Sequence, residues 1–195
     1  MRLLLICAAV LAVAACHKPA HEPQEPATKP VAPEAGAPIK GVDRSHKGQP
    51  FPKVSFLDEE DQPMSYGPLL GLPTLVNLWA TWCAPCVKEL PTLDRLFKSK
   101  SAGVYVATIN QDMAPRASVE AFLSQHKLDV PIYRDPKMAV SGALGAEVLP
   151  TSILYDAEGR EVWRYVGDLD WTSPQAAKLL SEAGAPTKSQ TPARR

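Results

Sequence analysis

Leu75-Val-Asn-Leu-Trp-Ala-Thr-Trp-Cys-Ala-Pro-Cys86 is the stretch on which the reading of this chain turns. Its first five residues are an apolar run of strand length broken only by Asn77, a pattern that suits a strand buried on both faces. Beyond it the period changes: Cys86, Leu90, Leu93 and Phe97 recur at i, i+4, i+7 and i+11, one face of a helix. Cys83 therefore falls where a buried strand ends and a helix begins. Free backbone N–H groups and the helix dipole at such a junction favour a thiolate over a thiol. That lowers the thiol pKa and creates the nucleophile that disulfide exchange needs. Pro85 fits the first helical turn without breaking a hydrogen bond. Cys86 begins the apolar stripe, so the spacing predicts a shielded Cys86 and an exposed Cys83. With that asymmetry Cys83 attacks a substrate disulfide, and Cys86 resolves the mixed disulfide.

On either side of this segment, strand and helix patterns alternate. Residues 52–57 alternate like a short strand and 58–62 supply a polar turn. Residues 103–109 read as a second buried strand. Pro115 opens a helix with Val119, Phe122 and Leu123 on its inner face. A short strand at 130–133 and a short helix at 138–144 follow. Residues 152–155 and 161–166, joined by Asp156-Ala-Glu-Gly159, make a hairpin, and 174–183 close the domain as a helix. The expected fold is α/β, a mixed central sheet flanked by helices, spanning 51–183. Residues 184–195 read as a flexible tail.

The N-terminal 15 residues read as an export signal: one arginine, a short apolar run, then small residues. The run is shorter than the ~20 apolar residues that span a bilayer. Its end, Val13-Ala-Ala-Cys16, resembles a lipobox, which implies a mature chain beginning at a lipidated Cys16. Cleavage nearby without lipidation is the competing reading. Residues 16–50, rich in proline and alanine, read as an extended linker. Its histidines, His17, His21 and His46, lack the scaffold and carboxylate partners of a metal site.

Once Cys7 leaves with the signal and Cys16 takes the lipid, only Cys83 and Cys86 remain in the folded part. A pair three residues apart is no structural disulfide framework. Zinc and iron–sulfur sites usually take four ligands, so no metal is expected. Lysine plus arginine and aspartate plus glutamate number 21 each, which gives no electrostatic support to nucleic-acid binding.

Trp82-Cys-Ala-Pro-Cys86 after its buried strand resembles the active-site segment of thioredoxins. It is most similar to the TlpA/ResA group of envelope-facing thioredoxin-like proteins, which includes the reductases of cytochrome c maturation. Pro91 matches the proline that kinks the active-site helix in that family. Leu149-Pro150-Thr151 resembles its cis-proline loop, and Gly167 follows the last strand as the family has it. The resemblance implies a thioredoxin-like fold and a reductant of protein disulfides whose only redox group is the Cys83–Cys86 pair, with no other cofactor. It also implies a membrane thiol-transfer donor of the CcdA/DsbD kind. Trp82, Leu149, Pro150 and Thr151 would form the substrate surface. Ordinary thioredoxins carry a buried aspartate where this chain has Asn77, and an amide cannot act as a base. The TlpA/ResA group has a glutamate three residues after its second cysteine, here Glu89, which helical spacing sets beside Cys86. If partly buried, Glu89 would have a pKa raised toward the range that deprotonates Cys86. Trp163, Trp171 and His126 read as packing residues. The competing functions are an oxidase using the same dithiol, a thioredoxin-like copper chaperone and a thiol peroxidase. The chaperone would want wider cysteine spacing and a histidine near the Leu149-Pro150 loop. The peroxidase would want a Thr-x-x-Cys context.

Overall fold

The computed structural model describes residues 41–100 and 102–187. In chain order its elements are β1 (Gly41–Asp43), β2 (Phe56–Leu57), β3 (Pro63–Met64), β4 (Thr74–Trp79), α1 (Ala84–Ser99) and β5 (Tyr105–Asn110). Then come α2 (Arg116–His126), β6 (Ile132–Arg134), α3 (Ala139–Leu144), β7 (Thr151–Tyr155), β8 (Glu161–Val166) and α4 (Pro174–Leu180). One sheet takes all the strands in the order β1-β8-β7-β4-β5-β6-β2-β3. β4, β5 and β6 run parallel, while β7 pairs antiparallel with both β4 and β8. The mixed sheet with flanking helices is the thioredoxin-like architecture expected above.

β4 is central because its apolar run can be covered on both faces, and every residue of it is buried. Leu75 and Trp79 join the cluster that includes Leu90 and Leu93 of α1, Val119 of α2 and Leu179 of α4. Val76 and Leu78 face the other way, into a cluster with Phe51, Phe56, Tyr66 and Val140 of α3. Two-residue alternation thus puts Asn77 on the Leu75 side, toward α1. Full burial of each large apolar side chain contributes roughly 1.5–3 kcal/mol. α1 ends where Lys100 turns left-handed, at φ 51°.

Two boundaries differ from the sequence expectation. The folded part already includes Gly41–Asp43, ahead of residue 51, because β1 pairs with β8. Gly48 N–H donates to Glu161 O at 2.7 Å and Glu161 N–H to Gln49 O at 2.8 Å, so 41–50 lies along the sheet edge. Three residues of edge strand carry too little apolar alternation to stand out among prolines and charges. At the other end, Thr187 N–H donates to Gly71 O at 2.9 Å, so the first residues assigned to the tail are bound. The strand expected over 52–57 shrinks to its last two residues. The export signal, Cys7, Cys16 and most of the linker lie outside the described residues. Among the described residues, no helix is long and apolar enough to cross a membrane.

Candidate active site

Cys83 is the N-cap of α1, with extended backbone (φ −89°, ψ 98°), and its Sγ accepts the Cys86 N–H at 3.3 Å. It is joined to Cys86 by a disulfide, with Cα atoms 5.2 Å apart. The junction forms because β4 stops at Trp79 and a turn closes through Cys83 N–H to Ala80 O at 3.2 Å. Pro85 then sits in the first turn of α1, where its missing N–H leaves no bond unmade. Asp112, beyond the end of β5, fixes this turn from the neighbouring strand. Its carboxylate accepts from Thr81 N–H at 3.0 Å, Thr81 Oγ1 at 3.1 Å and Asn110 Nδ2 at 2.7 Å. The sequence reading passed over both Asp112 and Thr81.

Cys83 is 6% exposed and Cys86 0%. The order is the expected one, but Cys83 is far less open than expected. In the disulfide its sulfur is turned onto Cys86, and Leu149 packs against the same cluster. The open surface beside the pair is Trp82, 66% exposed. Leu149-Pro150 is a cis peptide. It leads into β7, whose Thr151 pairs with Leu78 near the end of β4, so its loop lies at the end of the strands from which Cys83 emerges. Pro150 O accepts Gly167 N–H at 2.9 Å. Thr151 itself is buried and its hydroxyl donates to Val148 O at 2.6 Å. Its side chain therefore steadies the loop instead of lining the open face.

Glu89 lies one turn into α1 and is 2% exposed. Burial pushes its carboxyl up to about 7, against the pull of the hydrogen bonds it accepts. Those bonds come from Asn77 Nδ2 at 2.7 Å, Leu169 N–H at 3.1 Å and Trp171 Nε1 at 3.2 Å. The Asp168 carboxylate, paired with Lys88 at 2.9 Å, adds a smaller upward push. Trp171 is thus more than packing, though it also stacks on Trp163 at 6.5 Å. No sequence spacing could have announced it, because the two residues lie 82 positions apart. His126 is confined to its helix, its Nδ1 2.8 Å from Phe122 O. Among the described residues, no group of three or more metal-ligating side chains is gathered.

The Redoxin family model matches residues 46–180. The chain is 33% identical over 122 residues to the thiol-disulfide oxidoreductase ResA of Bacillus anthracis, covering 62% of this chain and 70% of that one. It is 33% identical over 144 residues to the thiol:disulfide interchange protein DsbE of Pseudomonas fluorescens, covering 70% and 79%. Among solved structures, StoA of Bacillus subtilis superposes with a TM-score of 0.55 at 27% identity, covering 69% of this chain and all of that one.

Proposed function

The chain belongs to the Redoxin family and is a thiol–disulfide oxidoreductase of the ResA/DsbE type; from that premise we propose that it reduces client protein disulfides in a bacterial cell envelope. The roles follow from the site. Cys83 thiolate attacks one sulfur of the client disulfide, and the other client sulfur leaves as a thiolate. Cys86 gives its proton to Glu89, and its sulfur attacks Cys83 Sγ. The Cys83–Cys86 disulfide re-forms and the second client sulfur leaves. Two electrons have passed to the client, and an external dithiol must return them before the next cycle. The observation that carries this reading is Glu89, a carboxyl buried three residues after Cys86 and raised to about 7, where it can take up and release a proton.

Trp82 and the Leu149-Pro150 loop form the client face, with the client backbone pairing at Leu149. Lipidated Cys16 tethers the mature chain to a membrane, and the proline-rich linker gives the domain reach. Electrons come from a membrane thiol-transfer protein of the CcdA/DsbD kind, and cytochrome c precursors are among the clients. The assignment is tested by insulin reduction with dithiol: Cys83→Ser should abolish turnover, and retained turnover would remove the mechanism. Cys86→Ser should accumulate mixed disulfides whose partners mass spectrometry identifies. Absence of cytochrome c precursors among them would remove that role. Direction is read from the redox potential, which a reductant holds far below the roughly −120 mV of a strong envelope oxidant.

A further inference from the structure

The groups that hold the Glu89 carboxylate are all donors: Asn77 Nδ2 at Oε1, and Leu169 N–H with Trp171 Nε1–H at Oε2. This arrangement suits the ionised form. A protonated carboxyl carries an O–H that needs an acceptor, and none of these three partners turns one toward it. Yet a group that takes a proton from Cys86 must be accommodated in both states.

Of these partners, Asn77 is the one whose side chain carries an acceptor as well as a donor. Its Oδ1 is buried without a hydrogen-bond partner. Its Nδ2 also donates to Ser152 Oγ, at 2.9 Å. Rotation about the last side-chain torsion exchanges Oδ1 and Nδ2, two atoms of similar size. It would set Oδ1 opposite both Glu89 Oε1 and the Ser152 hydroxyl. A hydroxyl accepts or donates by turning its hydrogen, so Ser152 follows without moving its heavy atom. A buried orphan acceptor beside a carboxyl that must change state is the feature such an exchange would use.

We propose that Asn77 is a positioning residue whose side-chain amide turns over as Glu89 gains or loses its proton, donating to the carboxylate and accepting from the carboxylic acid. The proposal rests on the reading of Glu89 as proton acceptor. In the resolving step the proton leaves Cys86 Sγ for the Glu89 carboxyl, the amide turns to pair with it, and loss of that proton restores the first arrangement. The groups acting on the carboxyl are neutral Asn77 on β4, which also bonds neutral Ser152 of β7, and Asp168, Leu169 N–H and Trp171 after β8; Cys86 lies three residues earlier on α1. Asp168 is paired with Lys88 of α1.

The test is an NMR titration of the oxidised full chain, in which the bonded cysteines do not titrate. Carbon-13 labelling reports the Glu89 carboxyl, and nuclear Overhauser contacts report the Asn77 side-chain amide protons. Above the carboxyl midpoint those protons should contact the Ser152 β-protons. Below it the contacts should be lost, with the same midpoint, and Glu89→Gln should make the pattern independent of pH. Contacts that persist while the carboxyl titrates would overturn the amide turn and leave Glu89 as proton acceptor untouched. A carboxyl that stays in one state from pH 5 to pH 9 would overturn both.

Discussion

At the scale of single residues, the proposed proton acceptor Glu89 also bears on stability. Its folded-state pKa of about 7 lies above the ordinary 4.5 because burial penalises the charge. The folded protein therefore holds a proton that the unfolded chain has already released, and stability contributed below pH 4.5 is lost as pH rises through 7. The loss amounts to about 3 kcal/mol, and Glu89→Gln should not show it. Urea unfolding of both proteins at pH 5 and pH 8 checks this; parallel behaviour would place Glu89 in solvent. Trp171→Phe keeps an aromatic side chain but removes one donor to the carboxylate, so the Glu89 midpoint should move above 7 in a carbon-13 titration. The resemblance to the TlpA/ResA group made Glu89 legible, and helical spacing sets it beside Cys86. The sequence hid the groups that hold the carboxyl, because Asn77, Leu169 and Trp171 come from distant strands and loops.

At the scale of elements, the reading of 75–86 carried most of the fold. A buried strand and a helix face leave few choices for where Cys83 can sit, and the structure makes it the N-cap of α1. What could not be read was the tie between neighbouring strand ends. β4 and β5 pair in register, Trp79 opposite Asn110, so Thr81 and Asp112 emerge side by side. Asp112→Ala would leave the half-buried Thr81 donors and the buried Asn110 donor without this partner, at about 1–3 kcal/mol. It should also slow the attack by Cys83 by loosening the turn that carries it. A denaturant midpoint together with a single-turnover reduction rate measures both, and an unchanged rate would show that the turn holds without Asp112. Asp135 does comparable work one strand over, accepting Ala139 and Val140 N–H at 2.9 and 2.8 Å to start α3.

At the scale of the whole molecule, the sheet extends beyond the expected strands by the short edge strands β1 and β3. Strands of two or three residues leave no periodic signal, so the boundary set at residue 51 cut through paired backbone. A chain begun at residue 51 should melt about 5 °C or more below one begun at residue 38, since it loses the β1–β8 ladder and the Gly48 and Gln49 bonds to Glu161. Equal melting would mean that the edge contributes nothing. Within this frame the end of the central strand leaves Cys83 slightly exposed, at 6%, and its partner Cys86 fully buried. The direct measurement is alkylation of the reduced full chain with iodoacetamide at neutral pH, resolved by peptide mass. Cys83 should react at least roughly tenfold faster than Cys86, as expected of a more exposed and more ionised thiol. Equal rates, or faster reaction at Cys86, would contradict the account.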